Sequence, residues 1–191
     1  YFTGIIKEEN KRMNKQVETI LQAALMDRQE IQLSQRNVHV HAIIEQVLEN
    51  FDLQLQSKGG RADVQLNAAD DEIMADEVHF TNLINNLVDN AVKYSRDNLV
   101  LKIGTVNTSK GIQIRIEDNG IGMTKESVKK IFEKFYRVHT GNLHNVKGFG
   151  LGLSYVKTIV DAHHGKIKVD SPLGKRTSFT IEMPFGKKDH A

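Results

Sequence analysis

At 191 residues the chain amounts to one or two domains and is long enough to bury a real core. A formal net charge of +2 carries no nucleic-acid footprint, and the absence of cysteine excludes disulfides, thiolate metal sites and a thiol nucleophile. No apolar run approaches the ~20 residues of a membrane span and none reads as a signal peptide; the start at Tyr1, inside a helix-like pattern, reads as a fragment of something longer.

In chain order, Ile6, Asn10, Met13, Val17, Ile20 and Ala24 alternate spacings of four and three, which predicts a heptad-seamed helix over 1–30 that needs a partner. The polar stretch Gln29 to Asn37 reads as a linker. Val38 to Lys58 is predicted as an amphipathic helix, ended by Gly59-Gly60. Short strands are expected at Ala62–Leu66 and Asp71–Met74. Asp76 then caps a helix running to about Ser95, with Phe80, Leu83, Ile84, Leu87, Val88, Ala91 and Val92 as its buried stripe. Leu99–Val106 and Gly111–Glu117 read as a hairpin, Thr124–Phe132 as a short helix, and Arg137–Lys147 as a loop. Gly150–His163 reads as a helix, and Lys166–Ser171 with Thr177–Met183 as a closing hairpin. Hairpin strands with helices between them give an α+β fold: a two-layer α/β sandwich, a mixed sheet with helices on one face, preceded by an N-terminal helix.

Four stretches carry the chemistry. The strand Ile112–Ile116 delivers the Asp118 carboxylate into Asn119-Gly120-Ile121-Gly122, where bare backbone and an acceptor suit a flat polar ring such as adenine. Asp-Asn-Gly is also ordinary turn chemistry. Asn86 and Asn90 lie one turn apart in the 76–95 helix, despite their poor helix propensity, on a stripe with Lys93 and Tyr94. An amide oxygen there can hold Mg²⁺, and the ammonium can meet phosphates; a solvated polar face is the alternative. Phe132 and Phe135, at i and i+3, read as core, and Arg137 stands at the mouth of the following loop. Lys147-Gly148-Phe149-Gly150-Leu151-Gly152-Leu153 is glycine-rich and opens a helix whose N–H groups can bind phosphate. It is neither a P-loop nor a dinucleotide fingerprint, since position 153 is Leu and no strand immediately precedes it.

In this order the four stretches resemble the boxes of sensor histidine kinases. Asn86-Leu-Val-Asp-Asn90-Ala-Val-Lys93-Tyr94 is similar to the N box, and Asp118-Asn-Gly120-Ile121-Gly122 to the G1 box. Ile131-Phe-Glu-Lys-Phe-Tyr136-Arg137 resembles the F box, and Gly148-Phe149-Gly150-Leu151-Gly152-Leu153 the G2 box. The resemblance covers roughly 38–184 and reaches the wider superfamily of gyrase, Hsp90 and MutL ATPases; the F box and short lid favour the kinase branch.

The resemblance implies a Bergerat ATP-binding fold and ATP with Mg²⁺ as cofactors. It implies Asn90 as metal ligand, Asn86 and Lys93 near the phosphates, and Tyr94 beside the adenosine. Asp118 would bind adenine, with Gly120, Ile121 and Gly122 shaping the pocket, and Ile131 and Tyr136 would line the base or lid side. Arg137, Lys147 and the Gly148–Leu153 turn would meet phosphate. Asn86 stands where hydrolysing relatives carry a glutamate base, which argues for transfer to a protein. None of the eight histidines lies in the 1–30 helix, so the phosphoacceptor helix is expected to be missing. The expected organisation is a dimerisation-helix remnant at 1–30, a linker at 31–37, a catalytic domain at 38–186 and a tail at 187–191. The expected function is transfer of the γ-phosphoryl to a histidine of the absent dimerisation domain, for relay to a response regulator. The setting is a homodimeric, membrane-attached sensor whose catalytic part is cytoplasmic, with no nucleic acid. The alternatives are an ATP-hydrolysing relative and a degenerate docking module.

Overall fold

A computed structural model describes residues 32–95, 98–138 and 149–186. The chain divides into two compact units, Tyr1–Gln32 and Leu33–Ala191, and the second carries every element below. The heptad helix expected over 1–30 lies outside the described residues.

The elements are β1 (Arg36–His39), α1 (Val40–Ser57), β2 (Arg61–Leu66), β3 (Glu72–Ala75), α2 (Glu77–Tyr94), β4 (Val100–Asn107), β5 (Gly111–Asp118), α3 (Lys125–Lys130), α4 (Gly152–Ala162), β6 (Lys166–Asp170) and β7 (Thr177–Pro184). The main sheet has five strands in the order β2-β4-β5-β7-β6. β2 runs parallel to β4, and the other neighbours are antiparallel. Alternation separates its faces. Leu101, Ile103, Ile112, Ile114, Ile116, Phe179, Ile181 and Met183 are buried, while Lys102, Arg115 and Lys168 point to solvent. Helices α1, α2 and α4 close the buried face with Val40, Ile44, Val47, Phe80, Leu83, Ile84, Leu87, Val156, Ile159 and Val160. This is the α+β sandwich read from the pattern.

The corrections are local. The helix read from Val38 begins at Val40, because Arg36–His39 pairs antiparallel with Glu72–Ala75 as a separate two-stranded sheet. The start of α1 is then capped from across the chain. Val40 N–H donates to Asp71 O at 2.9 Å and His41 N–H to Asp71 Oδ2 at 3.0 Å, while His39 Nδ1 lies 3.1 Å from Oδ1. Burial works against the charge on Asp71. The His41 N–H and the His39 ring outweigh it and hold the carboxyl below the usual range. The helices read as 124–132 and 150–163 are shorter, Lys125–Lys130 and Gly152–Ala162. Thr124 caps the first by accepting from Ser127 N–H at 3.1 Å. Phe132 is half-buried and Phe135, at φ +64°, is 67% exposed, so the aromatic pair read as core is largely on the surface.

Candidate functional site

Asp118 ends β5 on the helix-facing side, paired with Leu101 and Thr177, and is 6% exposed. Its Oδ1 accepts from Gly120 N–H at 2.8 Å, and Thr177 N–H also donates to it. Burial pushes this carboxyl up to about 6. The Gly120 N–H pulls the other way, and neighbouring Glu117 adds to the rise. A buried carboxylate at a strand end with a raised pKa is the signature of a group kept for a ligand.

The turn after Asp118 is not a hairpin. Asn119 straps it to the start of β4, its Oδ1 accepting from Val100 N–H at 2.8 Å and its amide donating to Asn98 O at 3.0 Å. A Cβ on Gly120 would stand 2.5 Å from Asp118 Oδ1 and 2.6 Å from Tyr94 O. The turn therefore lies bare against the C-terminal end of α2, and Ile121 N–H reaches Tyr94 O at 3.3 Å. On its other side, Gly174 N–H donates to Ile121 O at 2.6 Å.

On α2, Asn86 and Asn90 are half-buried on one stripe. Asn86 donates to Asn82 O at 2.8 Å, and its Oδ1 faces Gly152, where a Cβ would come within 2.7 Å. Asn90 makes no side-chain hydrogen bond with any described residue. Lys93 is ion-paired one turn back with Asp89, and Tyr94 is half-buried. Ile131 is buried, and Tyr136 reaches Ser127 Oγ at 3.2 Å. Arg137 is exposed.

The described chain resumes at Phe149, 43% exposed. Gly150, at φ +73°, has no room for a Cβ, which would lie 2.6 Å from Tyr136 O; its own carbonyl accepts from Phe135 N–H at 3.0 Å. The F-box and G2 stretches are thus bonded directly to one another. Leu151 caps α4 without a side-chain bond, so the first N–H groups of Gly152, Leu153 and Ser154 point out of the helix beside Asn86. Lys147 and Gly148 lie outside the described residues.

The fold therefore brings Asp118, Gly120, Tyr94, Asn86 and the Gly150–Gly152 turn around the C-terminal half of α2. Sequence reading missed the Thr177 N–H on Asp118, the Asn119 strap and the Asp89–Lys93 pair. The last was legible as an acid four residues before a lysine. The other two join positions far apart in the chain.

Among the described residues no group of three or more His, Asp or Glu can hold a metal. The single unengaged amide of Asn90 suits a hard ion that takes most of its ligands from phosphate and water. Among the described residues, no helix is long and apolar enough to cross a membrane.

A site of this build, with a buried carboxylate at a strand end, an amide-bearing helix and a glycine turn opening a second helix, defines a nucleotide-binding α/β sandwich. Residues 75–187 match the model of the histidine kinase-, DNA gyrase B- and HSP90-like ATPase family, and the chain belongs to that family. It is 46% identical to the sensor protein RprX of Bacteroides fragilis over 99% of its length, and 31% identical to the sensor protein kinase WalK of Staphylococcus saprophyticus over 96%. It spans only 37% and 30% of those two relatives. Full-length ShkA, solved in complex with AMPPNP, superposes with a TM-score of 0.81 at 25% identity, covering 94% of this chain and 37% of that one. The histidine kinase AdeS of Acinetobacter baumannii superposes with a TM-score of 0.74 at 25% identity, covering 93% and 80%. WalK is a sensor protein kinase and AdeS a histidine kinase, the branch expected from the four boxes.

Proposed function

We propose that this chain binds Mg²⁺-ATP and transfers the γ-phosphoryl group to a histidine of a dimerisation domain, for relay to a response-regulator receiver. The observation that carries the reading is the buried Asp118 carboxylate beside the bare Gly120 backbone, a hydrogen-bond acceptor matched to the amine of adenine. That ShkA was solved with AMPPNP supports it. In this reading Tyr94, Ile121, Gly122, Ile131 and Tyr136 border the base, and the N–H groups opening α4 meet the phosphates. Lys93 exchanges its Asp89 partner for a phosphate oxygen, and Arg137, Lys147 and Gly148 close from the lid. Asn90 holds the Mg²⁺, whose charge offsets that of the phosphate oxygens when it is bound. Transfer forms an N–P bond at the unprotonated imidazole nitrogen and breaks the β,γ-bridging P–O bond with ADP leaving, while the proton on the other ring nitrogen passes to solvent; the protein contributes position and charge neutralisation. Asn86 uses its amide on Asn82 O and offers no base for water, which supports transfer over hydrolysis. Of the domain limits read from the sequence, the linker at 31–37 gives way, since β1 pairs with β3 and Ser34 bonds to Asp76; we place the dimerisation-helix remnant at 1–30, the catalytic domain from Leu33 to 186 and the tail at 187–191. The whole protein is a homodimeric, membrane-attached sensor whose catalytic part faces the cytoplasm.

Incubation with γ-labelled ATP and a separately supplied dimerisation domain is expected to label that domain and leave this chain unlabelled. Of the described histidines, His163 is buried, His41 and His79 are bonded to Thr105 and Tyr155, and His164 is exposed but lies past the end of α4 remote from Gly152. His39 is exposed and paired with Asp71, but it precedes α1 beside β3, at the end of α2 remote from Asn90. From Asp76 to Asn90 the helix runs about 21 Å at 1.5 Å per residue. Stoichiometric acid-labile label on the chain alone contradicts the reading.

Asn90→Ala is expected to lower affinity for ATP with Mg²⁺ by about tenfold and to leave affinity in excess chelator within about twofold, since one metal ligand is lost. Titration calorimetry in the two conditions checks it; equal losses remove Asn90 from the metal.

A further inference from the structure

The Gly150–Gly152 turn and the Asn86–Asn90 stripe sit on different helices, so triphosphate binding depends on how far α4 is advanced along α2. Val156, Ile159 and Val160 of α4 are buried, and apolar packing is non-directional, so it holds an axial register less sharply than hydrogen bonds do. Directional bonds stand at the far end. His163 is 3% exposed, just past the end of α4, and its Nδ1 lies 2.8 Å from Ile159 O of its own helix. Its Nε2 accepts from Asp76 N–H, the residue that caps α2, at 3.0 Å. With Nδ1–H donating and Nε2 accepting, the ring is neutral, and burial keeps its pKa below the ordinary value. Asp76 is itself fixed, accepting from His79 N–H at 3.0 Å and from Ser34 N–H at 2.9 Å. Between the two ends Tyr155 of α4 bonds through its hydroxyl to His79 Nδ1 on α2 at 2.9 Å.

The two helices are antiparallel, with Asp76 against His163 at one end and Asn86 against Gly152 at the other. Ten residues of α2 and eleven of α4 separate these contacts, about 15 Å and 16.5 Å at 1.5 Å per residue. The spans match, so a bond at one end governs the gap at the other. We propose that His163, helped by Tyr155, is a positioning residue for the nucleotide. It sets the register of α4 on α2, and hence the spacing between the turn that meets the phosphates and the asparagines that meet phosphate and metal. This rests on the ATP-binding reading above. It assigns the residue to the phosphate half of the ligand, since the adenine half is held by Asp118 and the Gly120 turn, which β5 and the end of α2 position without α4.

The test compares Mg²⁺-ATP with adenosine by chemical-shift titration, which reads weak affinities, in folded wild type, His163→Leu, His163→Gln and Tyr155→Phe. His163→Leu is expected to lose about tenfold or more for Mg²⁺-ATP and less than about twofold for adenosine. His163→Gln, whose amide can accept from Asp76 and donate to Ile159, is expected to recover most of the loss. Tyr155→Phe is expected to lose about threefold for Mg²⁺-ATP alone. Equal losses for both ligands, or full Mg²⁺-ATP affinity in folded His163→Leu, overturn the clamp. If His163→Leu does not fold, an unchanged ratio of the two affinities in Tyr155→Phe overturns it. A wild type that binds neither ligand overturns the ATP-binding reading itself, and the clamp with it.

Discussion

Asp118→Asn is expected to weaken ATP binding at neutral pH by about ten- to a hundredfold, the ~1.5–3 kcal/mol of a hydrogen bond to a charged acceptor. An amide at this position can turn its own donor toward the adenine amine. The same change is expected to blunt the preference for ATP over GTP. The wild-type site carries a further signature. Its carboxyl titrates at about 6 because burial disfavours the charged form, and a donating amine on the ligand needs the carboxylate. ATP affinity is therefore expected to fall as pH drops through about 6 in the wild type and to stay level in Asp118→Asn.

Stability should move the other way. An acid whose folded pKa is raised binds more protons folded than unfolded between about 3.8 and about 6, so this group's contribution to stability declines as pH rises across that window. At neutral pH the ionised, buried carboxylate is a cost, and Asp118→Asn is expected to be at least as stable as the wild type while binding worse. Calorimetric titrations between pH 5 and 8, with urea melts of both proteins, check the pair of expectations. Unchanged ATP affinity in the mutant removes Asp118 from the adenine site.

Gly122→Ala is expected to destabilise the domain by roughly 2–4 kcal/mol, from two additive causes: a left-handed backbone in a residue with a Cβ and overpacking against fixed atoms. Gly122 has φ +64°, and an added Cβ would stand 2.2 Å from the carbonyl oxygen of Pro172. That oxygen cannot move aside. Met123 bridges Pro172, and Gly174 N–H is bonded to Ile121 O, so the turn and the β6–β7 connection hold one another. Gly174 is the control. Its φ is +77°, yet an added Cβ meets nothing within 4 Å, so Gly174→Ala is expected to cost only the backbone share, about 1–2 kcal/mol. Urea midpoints with unchanged slopes check both. In the folded fraction of Gly122→Ala, ATP affinity should also drop, because the same turn carries Gly120, which we propose borders the base. Equal costs at the two glycines contradict the packing argument.

The amino-acid pattern by itself determined the elements that are stabilised locally. Ile112, Ile114 and Ile116 alternate, and β5 follows; the apolar stripe from Phe80 to Val92 behind a capping Asp76 makes α2. Both periods report a face that must be buried, which a short window of sequence contains in full. The four stretches proposed to meet the nucleotide stand out in the sequence for a related reason, since each is a continuous run whose residue types fit one ligand group. Tertiary structure alone decided what depends on partners remote in the chain. Arg36–His39 has no strand-like alternation and becomes β1 only because Glu72–Ala75 offers an edge. Asp71 caps a helix that begins thirty-one residues before it. Phe135 carries an apolar side chain at helical spacing, yet the chain has already left the helix at Lys130 and turns it outward to meet Gly150. The pairing of His163 with Asp76 spans 87 positions, and no local window contains both. A hydrogen bond between two such groups forms only after the sheet and helices have brought them together, so it leaves no periodic trace in the sequence.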